Sequence, residues 1–158
     1  MSRIYIVGIV ASGKTTLAKA LSKQFNIPHY ELDCIVHTEK DGERYKRAPE
    51  ECVEEINRID SLGDWGDWII EGTYRQSCKC LLDISDKIIF LDPPLWLRKV
   101  RIVTRSIKQG LHMEHCHYKP DLHMLKMMFK WTKDFGDNRK DFEKLLEQYE
   151  YKLTRITR

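Results

Sequence analysis

Short runs of β-branched and aromatic residues recur along the chain and are separated by turn residues and longer amphipathic stretches. The clearest runs lie at 4–7, 68–70 and 88–91, and two weaker ones lie at 28–32 and 151–156. Their apolar positions are continuous rather than alternating, which is typical of strands buried on both faces of a parallel sheet. The pattern therefore predicts five strands of this kind.

Helical periodicity fills the intervals between these runs. In the first interval Leu17, Leu21 and Phe25 stand four residues apart, so they form one apolar stripe on a helix. The predicted helices span 14–25, 49–60, 94–109, 121–133 and 138–150. Strands that alternate with helices through right-handed crossovers predict an α/β fold. We expect one domain over residues 1–158.

The helix predicted over 94–109 has two unlike faces. At about 100° per residue around the helix axis, four basic residues fall within an arc of about 80° and form a cationic face. The cationic residues are Arg98, Arg101, Arg105 and Lys108, and the apolar residues on the opposite side are Trp96, Val100, Val103 and Ile107. We expect the apolar face to pack against the fold. The cationic face is either solvated or binds phosphates.

Composition agrees with a globular protein and excludes other classes. The chain of 158 residues is 42% hydrophobic and 32% charged, which argues against disorder and against a membrane protein. No run approaches the 18 or so apolar residues of a spanning helix, and the first residues do not form a secretion signal. The five cysteines show no dense framework, so we expect reduced thiols in the cytoplasm.

The net charge of +3 hides two opposed blocks. Residues 31–94 carry 16 acidic and 8 basic side chains, whereas residues 95–140 carry 11 basic and 4 acidic ones. A basic block of this kind serves either a phosphate-binding segment or a nucleic-acid contact. Charge alone leaves both alternatives open.

A phosphate-binding motif directly follows the first predicted strand. Residues 8–15, GIVASGKT, match G-x-x-x-x-G-K-[ST] at every fixed position and open a predicted helix. Glycines let successive backbone N–H groups point into one concavity, and the helix N-terminus adds positive charge. The predicted nucleotide contacts are Gly8, Ala11, Ser12, Gly13, Lys14, Thr15 and Thr16. Lys14 would reach the β- and γ-phosphates, and the Thr15 hydroxyl would bind Mg²⁺.

Two carboxylates follow predicted strands. Asp33 comes after the second strand and Asp92 ends the fourth, so both are expected at the carboxyl edge of the sheet, beside the phosphate loop. Asp92 either holds Mg²⁺ through water or caps the strand end. Asp33 either is a turn residue or orients an acceptor and takes its proton.

The third strand leads into a more specific pattern. Residues 70–75, IEGTYR, resemble the D-G-F-P-R segment of adenylate kinases and related nucleoside monophosphate kinases. The resemblance implies that Glu71 occupies the acidic position and that Arg75 holds the phosphate of an acceptor. Thr73-Tyr74 replaces Phe-Pro, and an ordinary surface arginine is the alternative for Arg75.

The segment after the fourth strand also resembles adenylate kinases. Asp92-Pro93-Pro94, followed by Arg101 and Arg105, fits the pattern D-x-P-x6-R-x3-R that carries their lid arginines. The resemblance implies that Arg101 lies against the bound nucleotide. It also implies that Arg105 contacts the transferring phosphoryl group, where negative charge accumulates.

Further matches extend the resemblance over nearly the whole chain. With HYELD at 29–33, WIIEG at 68–72, and YKP at 118–120 ahead of LKMMFKW at 125–131, the chain is similar to DNA topology modulation proteins of the FlaR type. These are small P-loop proteins related to adenylate and shikimate kinases. The resemblance implies a three-layer P-loop NTPase fold with a five-stranded parallel sheet of order 2-3-1-4-5. It also implies a helical lid over about 94–136, with ATP and Mg²⁺ as ligands.

These features favour a phosphotransferase that moves the ATP γ-phosphoryl group to a nucleotide or other small acceptor. Lys14, Asp33, Arg101 and Arg105 are its candidate catalytic residues, and Asp33, Glu71 and Arg75 would bind the acceptor. Two alternatives stay open. One is a nucleotide-gated regulatory or DNA-binding protein, and the other is an NTPase switch that influences DNA topology. Oligomeric state is left open as well.

Overall fold

A computed structural model describes residues 2–40, 42–62, 66–110 and 122–157, with side chains except at 40, 105–110 and 122–125. In chain order the strands are β1 Arg3–Gly8, β2 His29–Glu31, β3 His37–Lys40, β4 Glu43–Lys46, β5 Trp68–Gly72, β6 Lys87–Leu91 and β7 Leu153–Ile156. The helices are α1 Lys14–Phe25, α2 Leu32–Val36, α3 Pro49–Asp60, α4 Cys80–Ile84, α5 Leu95–Gly110 and α6 Leu122–Glu147. Short 3-10 turns lie at Gln76–Cys78 and Glu150–Lys152.

Five parallel strands form the central sheet in the order β2-β5-β1-β6-β7. Counted along the five strands, this is the expected order 2-3-1-4-5. The register places Glu71 of β5 beside Ile6 of β1 on one side and beside Glu31 of β2 on the other. The carboxyl end of β1, where the phosphate loop begins, therefore adjoins the acidic ends of β5 and β2.

Both faces of the sheet are buried, as the continuous apolar runs predict. Tyr5 and Val7 of β1 belong to one core cluster, which also takes apolar side chains from α2, α3, α4 and α6. Ile4 and Ile6 belong to the other cluster, which is covered by α1. Alternate residues of a strand point to opposite faces, so a strand in the middle of a three-layer fold must be apolar throughout.

Two helices that the sequence predicts separately form a single helix in the structure. The expected helices at 121–133 and 138–150 form the continuous helix α6, and Asp137 lies inside it rather than capping a second helix. The stretch contains no proline, and the helix runs on through Gly136, where a Cβ would meet no atom within 4 Å. Phe135 and Phe142, which pack on each other with ring centroids 6.0 Å apart, hold this part of the helix to the core.

The antiparallel hairpin β3–β4 was not predicted from the hydrophobic pattern. Its strands are polar, and the described residues of β4 are exposed, so they show no apolar run. Backbone pairing and the turn stabilise the hairpin instead. Gly42, which directly precedes β4, has φ +79°, a conformation that favours glycine.

Helix α5 is rotated relative to the expectation from its sequence. Trp96 is 66% exposed and Val100 and Val103 are also exposed, so the expected packing of this apolar face was wrong. Arg98 is buried at 5% exposure, beside the fully buried Ile102. In this orientation Arg98 lies near the charge of Asp92, which follows β6, and Arg101 donates a hydrogen bond to the phosphate loop. Among the described helices, none combines the length and hydrophobicity needed to cross a bilayer.

Candidate functional site

The phosphate loop connects β1 to α1 through residues with left-handed backbone. Ala11 has φ 59° and Gly13 has φ 99°, and Gly13 stands at the N-cap of α1 without a capping side chain. The first turn of α1 contains no acidic residue. The N-terminal N–H groups and the positive end of the helix dipole are therefore directed at a site suited to phosphate.

Gly8 allows the loop to close against the neighbouring strand. A Cβ at this position would lie 2.6 Å from the carbonyl oxygen of Leu91 and 2.8 Å from Oγ of Ser12. Any side chain would push β6 and the loop apart. The first glycine of the motif is thus required by close approach rather than by a positive φ.

The two functional side chains of the motif have partners within the site. Nζ of Lys14 donates a hydrogen bond to the carbonyl oxygen of Ile9 over 2.9 Å, so the lysine lies across the loop. Oγ1 of Thr15 donates to Oε1 of Glu71 over 2.5 Å. The phosphate loop and the end of β5 are thereby joined through a hydroxyl and a carboxylate.

Glu71 is a buried carboxyl group at 4% exposure. Desolvation raises its pKa above the usual value, and the hydrogen bond from Thr15 and the nearby charge of Lys14 oppose this effect. Glu31 and Asp33 add further negative charge around it. The end of β5 therefore supplies oxygen donors in a setting where a cation would relieve the cost of burying the charge.

The predicted acceptor residues are brought together. Nη2 of Arg75 donates to Oδ1 of Asp33 over 2.7 Å, although 42 residues separate them in sequence. Asp33 lies in the first turn of α2 and is 63% exposed, while Nε of Arg75 is a buried nitrogen with no hydrogen-bond partner among the described residues. This ion pair stands beside the buried Glu71, at the edge of the sheet that the phosphate loop shares.

Arg101 reaches the phosphate loop from α5. Its Nη1 donates to the carbonyl oxygen of Ser12 over 3.0 Å, and the same atom lies 3.6 Å from where a Cβ of Gly13 would stand. The expected position of Arg101 against the nucleotide site agrees with these contacts. The backbone of Arg105 lies one turn further along α5, but its side chain is outside the described residues.

Asp92 is engaged by two arginines. It is 7% exposed and accepts hydrogen bonds from Arg139 of α6, at 3.2 and 2.7 Å, and from both Nε and Nη2 of Arg155 in β7. Glu143 bonds the same two arginines. These contacts correspond to the structural alternative for Asp92, since they fasten β6, α6 and β7 together. They do not favour its role as a Mg²⁺ ligand, which remains a prediction.

One cavity of about 1,210 Å³ joins these groups. The predicted residues that line it are Gly8, Ala11, Gly13, Lys14, Thr15, Thr16, Asp33, Glu71, Arg75 and Arg101. Ser12 and Asp92 are buried and do not line it. A volume of this size exceeds the range of about 300–1,000 Å³ that is usual for a single small-molecule site, and it suits two ligands side by side.

The cavity also contains residues that the sequence patterns did not indicate. Arg44 comes from the hairpin, whose Asp41-Gly42 turn was the available signal. Met128, Phe135 and Phe142 come from α6 and stand seven residues apart, so they share one helix face. Dividing α6 into two helices hid this spacing.

Comparison by sequence points to shikimate kinases. No protein-family model matches the chain. The shikimate kinase of Bacteroides fragilis is 28% identical over an alignment of 108 positions, and the match covers 57% of this chain and 60% of that enzyme. The shikimate kinase of Bacteroides thetaiotaomicron is 27% identical over an alignment of 123 positions, and the match covers 70% of each chain. The chain thus spans about three fifths of the length of the Bacteroides fragilis enzyme.

Comparison by structure extends over almost the whole chain. A gluconokinase from Sinorhizobium meliloti has a TM-score of 0.56 at 14% identity, covering 99% of this chain and 82% of that one. Shikimate kinase from Acinetobacter baumannii, solved in complex with shikimate, has a TM-score of 0.55 at 15% identity, covering 100% and 83%. Likeness at such low identity bears on the fold alone. The chain has the α/β fold of the P-loop kinases.

Proposed function

We propose that this protein is a kinase that transfers the γ-phosphoryl group of ATP to a hydroxyl group of a small molecule. The observation that carries the proposal is that Lys14 and Thr15 of the phosphate loop line the same cavity as the Asp33–Arg75 ion pair. A nucleotide-binding half and an acceptor half are thus adjacent, as in-line transfer requires. The shikimate kinase relatives support the same reaction class.

The nucleotide half would act through fixed positive charge. Lys14 would exchange its hydrogen bond with the Ile9 carbonyl for the β- and γ-phosphates, and Arg101 already lies against the loop that holds them. Charge on the phosphates grows in the transition state, so cations placed in advance lower the barrier. Arg105 is proposed to contribute to the same charge from the next turn of α5.

The oxygen donors beside the loop fit Mg²⁺. Within the described residues no group of three His, Cys, Asp or Glu side chains could hold a metal by itself. Mg²⁺ normally takes one or two protein oxygens and completes its shell with phosphates and water, so such a group is not needed. Thr15 and Glu71 would hold the ion, with Glu31 close by. When bound, it would neutralise charge on the β- and γ-phosphates.

Asp33 would position the acceptor. The acceptor oxygen forms a bond to the γ-phosphorus, the bond to the β–γ bridging oxygen breaks, and ADP leaves with the electron pair. The hydroxyl proton passes to the Asp33 carboxylate. Arg75 holds that carboxylate at 2.7 Å and so fixes its direction.

The relatives lend no support to a role in DNA topology. The basic block that suggested DNA binding includes Arg98, which is buried, and Arg101, which contacts the phosphate loop. Neither guanidinium is displayed as part of a surface patch for a nucleic acid. The basic charge of α5 is better explained by the phosphates of a bound nucleotide.

An ADP-release assay with a panel of small hydroxy compounds tests the proposal. Lys14→Ala should abolish acceptor-dependent ADP formation and weaken ATP binding, because the main cation on the transferring phosphate is lost. Lys23→Ala, in the last turn of the same helix, is the matched control and should behave as wild type. ADP formation that is independent of every acceptor and unaffected by Asp33→Asn would indicate an NTPase switch instead.

A further inference from the structure

One wall of the cavity is aromatic on its acceptor side. Tyr74 immediately precedes Arg75, and its ring packs on that of Phe142 with centroids 5.1 Å apart. Phe142 in turn packs on Phe135 at 6.0 Å. All three rings line the cavity that contains Asp33 and Lys14. We call Tyr74, Phe135 and Phe142 the aromatic wall.

The aromatic wall is held rigidly from behind. Phe90 of β6, which is almost fully buried, contacts Phe142 edge-on with ring centroids 5.5 Å apart and Phe135 at 6.5 Å. Phe142 is itself buried, whereas Phe135 is only partly buried and can present part of its ring to a ligand. The rings are therefore fixed in place before any ligand binds.

Such a wall discriminates between acceptor types. An aromatic face attracts another flat, unsaturated ring but supplies no strong hydrogen bonds to hydroxyl groups. A saturated polyol placed against it would lose water from several hydroxyls without replacement, which is costly. Asp134 and Asn138 line the cavity from the same helix and offer hydrogen-bonding groups for the edge of a ring.

The charged side chains around Asp33 further restrict the class of acceptor. Arg75 is already paired with Asp33, and Glu31 and Glu71 line the same region with Arg44. Of the described cations that line the cavity, Lys14 and Arg101 belong to the nucleotide side, and Lys19, Arg44 and Arg75 are matched in number by Glu31, Asp33 and Glu71. The described residues thus leave the acceptor side no surplus of positive charge for a second phosphate. A phosphorylated acceptor would also bring its negative charge close to the Asp33 carboxylate, which is unfavourable.

We propose that the acceptor is an uncharged alcohol with a flat, unsaturated ring, such as a nucleoside or a heteroaromatic alcohol. This rests on the proposed kinase function and assigns its substrate class. A nucleoside and a heteroaromatic alcohol share a planar ring that stacks on the aromatic wall and a hydroxyl group that reaches Asp33. Saturated polyols and nucleoside monophosphates are the excluded classes.

The test compares four sets of acceptors at saturating Mg·ATP. The sets are the ribonucleosides, hydroxymethylpyridines, the nucleoside 5′-monophosphates, and the saturated polyols glycerol, xylitol and gluconate. We expect a member of the first two sets to have a kcat/KM at least about tenfold above that of every monophosphate and polyol. Comparing the first two sets distinguishes a nucleoside from another flat-ring alcohol.

Phe135→Leu then links the preference to the aromatic wall. It should raise KM for the flat-ring acceptor about tenfold and leave KM for ATP unchanged, because only stacking on the acceptor is lost. Phe25→Leu removes a ring from the exposed end of α1, away from the cavity, and should change neither value. Unfolding curves of both variants separate a binding effect from loss of fold.

The outcomes separate the two proposals. A monophosphate or polyol as best acceptor, or an unchanged KM in Phe135→Leu, overturns the acceptor class but leaves the kinase function intact. If no compound in the panel is turned over, calorimetry with a non-hydrolysable ATP analogue measures binding of the nucleosides and hydroxymethylpyridines, and failure of all to bind also overturns it. Absence of ATP binding in the wild type overturns the kinase function itself.

Discussion

Thr15 and Glu71 are joined by a 2.5 Å hydrogen bond that ties the first turn of α1 to the end of β5. The donor is the threonine of the phosphate-binding motif, and the acceptor is a carboxylate buried at 4% exposure. A buried carboxylate is retained at a cost in stability unless a cation or hydrogen bond compensates. We therefore expect Mg²⁺ binding and pH to act on this pair.

Glu71→Gln should separate stability from activity. Burial raises the pKa of Glu71, so the folded state holds its proton more tightly than the unfolded chain does. This favours folding below the unfolded pKa, and the advantage is lost as the pH rises through the folded pKa. The glutamine variant should thus gain stability relative to wild type at neutral pH and lose that gain in acid, as measured by thermal unfolding across pH.

The same substitution should weaken Mg²⁺-dependent turnover. If Glu71 holds the ion, its carboxylate must be ionised, so the raised pKa of the metal-free protein should make Mg²⁺ affinity fall at a higher pH than it would for an ordinary glutamate. Glu71→Gln should raise the Mg²⁺ concentration needed for half-maximal rate. A variant with wild-type Mg²⁺ dependence would contradict this role.

Asp33→Asn should affect catalysis far more than stability. The ion pair with Arg75 is solvent-accessible on the aspartate side, so its loss should cost no more than about 1 kcal/mol of unfolding free energy. Loss of the group that positions the acceptor should lower kcat by about 10²- to 10⁴-fold. Denaturant titration and steady-state kinetics on the same preparation check the contrast. An equal loss in Asp86→Asn, a strand-end aspartate away from the cavity, would indicate a nonspecific effect.

Asp92→Asn should mainly lower stability. The substitution removes the charge that pairs with Arg139 and Arg155. Because both arginines keep Glu143 and are partly exposed, we expect a loss of about 1–3 kcal/mol rather than the larger cost of an isolated buried charge. Urea denaturation measures the loss. A Mg²⁺ requirement that changes with little loss of stability would favour the alternative, in which Asp92 serves the metal.

Two glycine substitutions should have opposite signs. Gly8→Ala places a Cβ 2.6 Å from the Leu91 carbonyl oxygen and should cost about 1–3 kcal/mol together with nucleotide binding. Gly136→Ala places a Cβ in open space inside α6 and should stabilise the protein by about 0.5–1 kcal/mol. Thermal unfolding with and without ATP measures both. A stable Gly8→Ala protein that binds ATP normally would show that the loop can shift to accommodate the methyl group.

Features encoded by short-range pattern were predictable from the sequence. The phosphate-binding motif is contiguous, so its loop, its strand and its helix followed from residues 8–15. The continuous apolar runs predicted the buried strands, while the resemblance to known P-loop proteins supplied their order. Asp33 was placed at this site because it follows a strand of a parallel sheet, whose carboxyl ends share an edge, whereas the resemblance to nucleoside monophosphate kinases supplied Arg75.

Features decided by tertiary contacts were not predictable from the sequence. Helical periodicity located two faces of α5 but could not say which one is buried, because the outcome depended on the charge of Asp92 near Arg98 and on the contact of Arg101 with the phosphate loop. Asp92 lies at a strand end in either role, and its ion pairs with the distant Arg139 and Arg155 could not be read from the sequence. The hairpin carries no hydrophobic signal, and its turn dipeptide was the sole local indication.

The continuity of α6 gives the molecule a mechanical link. The helix borders the cavity at Phe135 and Asn138, and the next residue, Arg139, grips Asp92 at the end of β6. A rigid helix moves as a unit, so a ligand that displaces its cavity face should also displace Arg139 and strain its ion pair with Asp92. Because Asp92 also pairs with Arg155, the strain should reach β7, the last strand of the sheet. Binding of a ligand in the cavity should thus alter the contacts of β7, the edge strand of the sheet.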